Sequence, residues 1–336
     1  MTTVFLTAIL VILSVISVFS GPALTLNDAI GALLSGVPPW SLLSSALFEL
    51  RIVHVLLAAA VGFALSTGGR ALQLFLRNPL ADPHVVGISA GSTTAVLLFV
   101  LVFPRVAESY FWDVVPAIWL AAFAGAICAV MVFHLVFSGV SRRWGVASIA
   151  LVGLLINAAC AAALMLIFAR LSPSMLSLVQ VWTLGAIQPY SVASASLLLP
   201  LLILSSMRLI RLDAHLQILS FGSEFASAHG VNSQSVRRSL LLALTVLCAA
   251  AVCAAGSIGF VGLMVPHVTR RLFFSCRYGS VRPWLNGIIG AVVLVFADLL
   301  SRTATSPMEL PVGVYTALLA TPFLMFVLLR RGVVHE

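Results

Sequence analysis

Asp298 and Arg302 are the first candidates for chemistry, because they lie four residues apart within and just after a long apolar run. Positions i and i+4 of a helix face each other, so this spacing predicts a carboxylate–guanidinium pair. An ionisable residue inside an apolar span is also a candidate for a proton or substrate pathway. We favour a structural ion pair, since a proton relay usually needs more than one acid. The relay stays open as the alternative.

Histidine, cysteine and lysine give no sign of a catalytic or metal-binding constellation. The seven histidines are dispersed, and no two of them stand three or four residues apart. The five cysteines contain no CxxC pair. The chain has no lysine, which excludes a Walker A phosphate-binding loop. We therefore expect a non-catalytic protein with no catalytic residue, no metal site and no permanently bound cofactor.

The composition predicts helices that cross a bilayer. Hydrophobic residues make up 61% of the 336 residues and charged residues only 8%, against roughly 25% charged residues in soluble domains. Because a spanning helix needs about 20 apolar residues, the chain has room for roughly ten spans. Long runs of Leu, Ala and Val favour helices over the alternating strands of a β-barrel. The predicted fold is all-α and polytopic, with a single transmembrane domain over 1–336.

The apolar runs give ten predicted spans. The first is expected to be a spanning helix and not a cleaved signal, because the start MTT lacks a basic segment. The eighth is short and contains Pro266. The predicted spans are 4–20, 50–67, 86–103, 114–137, 148–169, 190–207, 238–256, 259–272, 285–301 and 311–329.

The arginine distribution predicts the orientation of these spans. With both termini cytoplasmic, only four arginines fall in outer segments, namely Arg51, Arg105, Arg170 and Arg302. The other arginines fall on the inner side, as the positive-inside rule requires. This rule explains the net charge of +8 without nucleic acid as a partner. We expect a multi-pass protein of the bacterial inner (cytoplasmic) membrane, in contact with membrane lipid.

Two segments interrupt the pattern of apolar spans. Residues 77–92 read RNPLADPHVVGISAGS, with two prolines and two glycines at membrane depth. Irregular backbone at that depth is tolerated only where protein buries it or where it lines a cavity. Residues 208–238 form the longest predicted cytoplasmic loop, and their short apolar clusters are typical of one or two small amphipathic helices.

Four sequence blocks carry a resemblance to a known family. Residues 77–92 resemble the motif RNPLADPxxLGISxGA, and GSIGFVGLMVPHVTRRLF at 256–273 resembles GxIxFVGLxxPHxxR. Residues 297–323 are similar to the ending ADxxxR…ELPVGVxTAxxGxPxF, and GSEFASAHGV at 222–231 is similar to GexxAxxLGV. The blocks run in family order over about 45–330. On these blocks the chain is identified as a member of the FecCD family of ABC importer permeases, which serve siderophore, haem and cobalamin uptake.

The resemblance implies a fold and a set of partners. It implies ten helices per subunit and a homodimer with the translocation path on its two-fold axis. It also implies two cytoplasmic ATP-binding-cassette subunits that use the ATP, and a periplasmic substrate-binding protein that docks from outside. The loop at 216–231 is implied to rest on the ATPase subunit. Its candidate coupling residues are Leu219, Gly222, Glu224, Ala226 and Gly230.

The resemblance further implies contacts at the outer surface and along the path. Family arginines receive carboxylates of the binding protein, and Arg51 and Arg302 match these arginines by position. His54 replaces the second arginine of the family motif LRxPR, which would make that contact sensitive to pH. The second, fifth and tenth spans are expected to line the path, with Asn78, Ser89, Ser92 and Arg170 as polar candidates. For Arg170, substrate contact and interfacial anchoring both stay open.

We therefore expect a permease subunit that passes an iron chelate, either haem or a ferric siderophore, from the binding protein to the cytoplasm. Cobalamin is the alternative cargo on the same scaffold. An ion-coupled secondary carrier is a second alternative, because the sequence PHV at both 83–85 and 266–268 is compatible with inverted repeats. A haem-binding membrane oxidoreductase is a third, and it is disfavoured because paired histidines are missing.

Overall fold

The computed structural model shows a bundle of helices. It describes residues 2–20, 28, 31–32, 34–35, 38, 40, 45–84, 86–104, 110–111, 115–144, 147–171, 182–187, 191–273, 282–305 and 309–332. Within these residues there are eleven helices and one antiparallel two-stranded ribbon, β1 (Tyr110–Phe111) with β2 (Val115–Pro116). The helices are α1 (Thr2–Val18), α2 (Ser45–Leu76), α3 (Ile88–Val102), α4 (Ala117–Trp144), α5 (Ala147–Phe168), α6 (Val192–Ser220), α7 (Ser223–Ala228), α8 (Ser233–Ala255), α9 (Val261–Phe273), α10 (Pro283–Thr303) and α11 (Val312–Gly332).

The ten predicted spans correspond one by one to the ten long helices in the described part of the chain. Six of these helices, α2, α4, α5, α6, α8 and α10, are long and apolar enough to cross a membrane by themselves. Helices α1, α3 and α11 are shorter apolar helices. Helix α9 has 13 residues, or about 20 Å, and is shorter than the roughly 30 Å hydrocarbon core. The all-α, polytopic fold is confirmed.

Two helices extend well past the predicted spans 50–67 and 190–207. Helix α2 has 32 residues and α6 has 29, which correspond to about 48 Å and 44 Å. Both lengths exceed the hydrocarbon core of roughly 30 Å. Arg70, which the sequence placed in a cytoplasmic loop, therefore lies inside α2, and its side chain is buried.

The connection between α6 and α8 is shorter than the predicted loop 208–238. Helix α6 continues to Ser220 and α8 begins at Ser233, so only 221–232 connect them. The polar residues after position 207 ended the apolar run, but they do not end the helix. The predicted small helix in this region is present as α7.

Local turn chemistry sets the bounds of α7 and the start of α8. Gly222 and Gly230 flank α7 with φ angles of 131° and 74°, which glycine adopts without steric cost. Asn232 caps α8, because its Oδ1 accepts from the amides of Gln234 and Ser235 at 3.0 and 3.1 Å. These residues turn the chain back into the bundle directly after α7.

Helix α2 packs antiparallel to α10 at a close crossing of small residues. A Cβ atom on Gly62 or on Gly290 would overlap the backbone carbonyl of the other. One turn along, Ser66 Oγ donates to the carbonyl oxygen of Asn286 at 2.8 Å. Because lipid tails are as apolar as the helices, such close backbone packing and interhelical hydrogen bonding drive association within a membrane. Helix α2 also packs against α1, α6, α8 and α9, and it is therefore the central helix of the described bundle.

A second close crossing joins α3 to α4. A Cβ atom on Gly91 would meet the carbonyl oxygen of Gly125 and the side chain of Ala129. Ser92 Oγ donates to the carbonyl oxygen of Ala122 at 2.9 Å. Small residues and one hydroxyl group thus fix the position of α3 beside α4.

The C-terminal ends of α2 and α6 lie side by side, since Arg77 Nη2 donates to the carbonyl oxygen of Leu219 at 3.2 Å. Helix α7 follows α6 directly, and we call this end of the bundle the α7 end. The N-terminal part of α2 and the C-terminal part of α10 meet at the opposite end, where His54 contacts Asp298.

Candidate functional site

The segment between α2 and α3 breaks the helical backbone with turns in its described residues, 77–84 and 86–87, and we call this stretch the interrupted segment. Arg77 has a φ of 49°, and Asn78 Oδ1 accepts from the backbone amide two residues on, at 2.9 Å. Asp82 Oδ1 likewise accepts from the amide of His84 at 3.0 Å. Asn and Asp favour such turns because their short side chains replace a backbone acceptor. The predicted break at this position is confirmed.

The interrupted segment packs against the start of α9. His84 Nε2 lies 3.0 Å from Ser257 Oγ, and Asn157 Nδ2 donates to the carbonyl oxygen of His84 at 2.9 Å. The buried carboxylate of Asp82 accepts from backbone amides at the start of α9. These amides have no partner within their own helix, so the side-chain oxygens of Asp82 satisfy donors that would otherwise be unpaired. Asp82 therefore holds α9 in place, a role that the sequence motif did not reveal.

Three of the predicted path residues lie in or beside the interrupted segment. Asn78 is half-buried, whereas Ser89 and Ser92 are buried in the first turns of α3. The hydroxyl of Ser92 is bonded to the backbone of α4. Its placement shows a structural contact between two helices, and a path-lining role for these three residues stays a prediction.

Arg170 is not brought to the interrupted segment. A Cβ atom on Gly87 would meet the side chain of Ile156 in α5, which marks where the segment touches that helix. Arg170 lies beyond the end of α5, about 20 Å further along the chain. Its side chain is exposed. Substrate contact by Arg170 therefore stays a prediction, separate from the interrupted segment.

Asp298 and Arg302 form the expected ion pair at the opposite end. Arg302 Nη2 and Nε lie 2.7 and 3.1 Å from Asp298 Oδ2. The other oxygen, Oδ1, lies 2.8 Å from His54 Nε2, and the Asp298 side chain is only 1% exposed. The carboxylate thus joins α10 to α2 as well as pairing within its own helix.

The predicted docking arginines contact the C-terminal end of α1. Arg302 Nη1 donates to the carbonyl oxygens of Ser17 and Ser20 at 3.3 and 3.0 Å, and its Nη2 donates to the Ser17 hydroxyl. Arg51 Nη1 donates to the carbonyl oxygen of Val18 at 3.0 Å. Cations are stabilising at a helix C-terminus, where carbonyl groups lack partners. Arg302 is buried and Arg51 half-buried, so Arg51 is the more accessible of the two.

The predicted coupling residues divide into buried and exposed groups at the α7 end. Leu219 and Ala226 are buried and attach α7 and the end of α6 to the rest of the bundle. Glu224 and Gly230 are exposed, and Gly222 is half-buried. The α7 end therefore presents an exposed surface, and the buried side chains beneath it hold that surface against the bundle. Its contact with an ATPase stays a prediction.

An aromatic cluster on the same surface was missed from the sequence. The rings of Phe221 and Phe225 lie 5.5 Å apart, and those of Phe225 and His229 lie 4.1 Å apart, measured between centroids. Phe221 is 74% exposed and Phe225 is 45% exposed. The spacing of four residues between Phe225 and His229 was visible in the sequence, whereas Phe221 lies before the break at Gly222 and joins the cluster only through the turn.

A buried ion pair between α2 and α6 was also missed. Arg70 Nε lies 2.7 Å from Asp213 Oδ1, and its Nη2 lies 3.2 Å from Oδ2. Gln217 Nε2 donates to the same Asp213 Oδ2 at 2.6 Å. The spacing of Asp213 and Gln217 fits one helix face, but nothing in the sequence pointed to Arg70. Among the described residues, no group of three or more His, Cys, Asp or Glu side chains could hold a metal ion.

Comparison with known proteins places this arrangement of helices in a family. The FecCD transport family matches residues 7–330. The chain belongs to the FecCD transport family. The identification made from four sequence blocks is thereby confirmed, and the match extends to α1, outside those blocks. As a FecCD protein with helices of spanning length, the chain is a multi-pass membrane protein in a family of transport permeases.

This FecCD permease is similar to several transport proteins over most of its length. It is 32% identical to the Fe(3+)-citrate import system permease protein YfmE of Bacillus subtilis, over 96% of this chain and 93% of that one. It is 34% identical to the hemin transport system permease protein HmuU of Yersinia pestis, over 84% and 83%. A solved metal-chelate type ABC transporter in an inward-facing conformation shares the fold, with a TM-score of 0.77 over 97% of both chains at 24% identity.

Proposed function

We propose that this protein is the transmembrane permease subunit of an ABC importer that carries an iron chelate, either haem or a ferric siderophore, from a periplasmic binding protein to the cytoplasm. The family match over residues 7–330 carries this proposal. Relatives are named as permeases for ferric citrate, iron hydroxamate and hemin. A further relative, from Vibrio cholerae, is named for vitamin B12, at 34% identity over 89% of this chain and 87% of that one. Cobalamin is therefore the alternative cargo.

Two ATP-binding-cassette subunits drive this transport in our proposal by docking at the α7 end. The exposed rings of Phe221 and Phe225 support docking at this end. Aromatic side chains that are exposed in a free subunit often become the buried centre of an interface when the partner binds. The buried Leu219 and Ala226 would transmit a push on this surface into α6 and the bundle. The permease itself would use no ATP.

The α7 end faces the cytoplasm in this proposal. Arg77 and Arg270 lie at this end, as does the exposed Arg208. Their position agrees with the positive-inside rule. The N-terminal end of α1 points the same way, because its C-terminal end is bound by Arg51 at the opposite end. Phe326, near the C-terminal end of α11, packs against Arg271 at the end of α9 next to Arg270, so both chain termini would be cytoplasmic.

A second copy of the chain would complete the translocation path. Helix α5 supports this step, since it is the least buried of the six long apolar helices in the described residues. Its exposed side chains include Leu154, Leu155 and Leu166. A homodimer could cover part of this face and enclose a path lined by α2, α5, α11 and the interrupted segment.

The coupling proposal is tested by replacing Phe221 and Phe225 together with glutamate. The wild-type permease, expressed with its ATPase and binding protein, is expected to copurify with the ATPase and to import a chelate only with ATP. The double variant is expected to lose the ATPase on purification, because two charges replace the apolar contact. Uptake in proteoliposomes is measured with hemin, ferric citrate, a ferric hydroxamate and vitamin B12.

The control is Thr303→Asp, an exposed position at the opposite end of the bundle. It should retain assembly with the ATPase. Unchanged assembly of the double phenylalanine variant would contradict docking at the α7 end. Uptake driven by an ion gradient in the absence of ATP would instead support a secondary carrier.

The accessibility of the two docking arginines leads to a separate prediction. Arg51→Ala is expected to weaken binding of the substrate-binding protein by about 1.5–3 kcal/mol, roughly 10- to 150-fold in affinity, if Arg51 donates to a carboxylate. The thermal stability of this variant should fall less than that of Arg302→Ala, because Arg51 makes a single bond to α1. Arg302→Ala should mainly lower thermal stability, because its guanidinium is buried among Asp298 and the α1 carbonyl groups.

The measurement is surface plasmon resonance on the detergent-solubilised complex at two salt concentrations. An exposed docking charge should also lose part of the salt dependence of association when it is removed. If Arg51→Ala binds like the wild type while Arg302→Ala loses affinity without losing stability, the assignment is wrong and Arg302 is the docking residue.

A further inference from the structure

Arg70 and Gln73 lie in the last turns of α2, near the α7 end, and Arg77 follows directly after the last residue of that helix. A spacing of three residues places Arg70 and Gln73 on the same side of the helix. Arg70 and Arg77 both contact α6, whereas Gln73 contacts the interrupted segment and α9. Polar contacts therefore connect helix α2 to α6, which leads into α7, on one side. On the other side they connect α2 to the interrupted segment.

Arg70 and Asp213 form the first of these contacts, and both are nearly inaccessible. Their side chains are 8% and 7% exposed, and two parallel hydrogen bonds join them. Gln217 donates to the same carboxylate at 2.6 Å, one turn further along α6. A two-pronged contact of this kind fixes orientation as well as distance.

Arg77 provides a second attachment to α6. Its Nη2 donates to the carbonyl oxygen of Leu219, six residues after Asp213 and about 9 Å further along the helix. Helix α6 is therefore held at two points, by Arg70 within α2 and by Arg77 at the start of the interrupted segment. Rotation or sliding of α6 along α2 would break at least one of these contacts. Helix α7 begins three residues after α6 ends.

Gln73 provides the attachment on the other side. Its Nε2 lies 3.3 Å from the carbonyl oxygen of Ala81 and 3.4 and 3.3 Å from those of Gly262 and Leu263. Its Oε1 accepts from Arg270 Nη2 at 2.9 Å. One buried amide thus joins α2 to the interrupted segment and to both the beginning and the end of α9.

The energetics of the Arg70–Asp213 pair indicate a role beyond stability. Desolvation offsets much of the attraction in a buried ion pair, and apolar residues of similar size often stabilise a protein as well or better. What such a pair adds is a defined register between two elements. The register fixed here is that between α2 and the helix leading into α7.

We propose that Arg70 and Asp213 are positioning residues that pass movement of α7 through α2 to the interrupted segment. The inference rests on the proposed function, because a docked ATPase supplies the movement at α7. When α7 shifts, α6 shifts with it, the ion pair carries α2 along, and Gln73 moves the interrupted segment together with α9.

The test uses the intact complex of permease, ATPase and binding protein. The double variant Arg70→Gln with Asp213→Asn removes both charges while keeping hydrogen-bonding groups of similar size. It is expected to assemble and to hydrolyse ATP, while uptake of radioactive hemin or ferric citrate per ATP falls at least about fivefold, the lower end of typical coupling between sites. The charge swap Arg70→Asp with Asp213→Arg should restore part of this loss. Arg208→Gln, an exposed arginine on the same helix, should leave the ratio unchanged.

A second measurement does not depend on the cargo. Hydrogen exchange of residues 77–87 is expected to change on nucleotide binding in the wild-type complex and to stay unchanged in the double variant. A nucleotide response of equal size in the variant would overturn the proposal. The proposal would also be overturned if ATP hydrolysis and uptake fell by the same factor in the double variant and its melting temperature were lower. That pattern shows a purely structural role.

Failure of the proposed function gives a different result. In that case the wild-type permease would bind no ATPase subunit, and nucleotide would change nothing in it. If only the present inference fails, the wild-type complex still couples ATP hydrolysis to uptake. The variants at positions 70 and 213 then show the same uptake per ATP as the wild type.

Discussion

Replacement of Asp298 by alanine is expected to lower the free energy of unfolding by about 3–5 kcal/mol, the typical cost of removing one partner from a buried ion pair. Both carboxylate oxygens are engaged, one by Arg302 and the other by His54. Without the carboxylate, the buried guanidinium keeps only the backbone carbonyls of α1 and the Ser17 hydroxyl as acceptors. An uncompensated charge at 8% exposure is costly, because the protein around it is less polarisable than water.

The measurement is thermal unfolding of the purified permease in detergent, followed by circular dichroism. Asp298→Asn should destabilise less than alanine, since the amide keeps one acceptor for the guanidinium. Glu309→Gln is the matched control, because Glu309 is exposed at the same end and surface substitutions usually change stability by less than about 0.5 kcal/mol. Equal melting of the Asp298→Ala variant and the control would contradict the prediction.

Removing both charges separates the ion pair from the contacts to α1. The double variant Asp298→Leu with Arg302→Met is expected to recover much of the stability lost in Asp298→Ala, because it leaves no unpaired buried charge. Recovery should be incomplete, since the carbonyl oxygens of Ser17 and Ser20 lose their donor. Increased proteolysis of α1 in this variant would locate the remaining loss at the end of that helix.

Contacts between nearby residues were predictable from the sequence, whereas contacts between distant ones were not. The pair Asp298 and Arg302 follows from helical spacing alone. His54, which completes the cluster, lies 244 residues away in the chain, and no local pattern connects it to Asp298. The burial of Arg302 is likewise a tertiary property, so a match of position to a family motif could not distinguish a docking residue from one that holds α1.

Helix existence was also predictable, but two helix ends were not. Hydropathy measures the preference of a segment for lipid, and it falls where charged residues appear. The apolar runs of α2 and α6 end at residues 67 and 207, yet both helices continue, and Arg70 and Asp213 in these continuations pair with each other. The turns of the interrupted segment were predictable because Asn78 and Asp82 act through their own neighbours in the chain.

Gly69 is the position where the smallest substitution is expected to have a large effect. A Cβ atom there would overlap the backbone of Gly262 at the start of α9, where no side chain can move aside. Alanine normally stabilises a helix interior relative to glycine, by about 0.8–1.0 kcal/mol. We expect overpacking, at about 1–3 kcal/mol or more, to exceed this gain. Separation of α2 from α9 would also stretch the bonds from Gln73 to the carbonyls of Gly262 and Leu263.

The neighbouring glycine provides the control for this prediction. A Cβ atom on Gly68 would lie 3.3 Å from Leu244 Cδ2 and 3.5 Å from Pro83 Cγ, which are ends of side chains. Gly68→Ala should therefore be neutral or slightly stabilising, whereas Gly69→Ala should lower both the melting temperature and chelate uptake. The two variants share the same helix, the same added methyl group and the same propensity gain. A lower melting temperature for Gly69→Ala alone would assign the effect to the crossing of α2 with α9, and equal melting of the two would show that α9 can move away without cost.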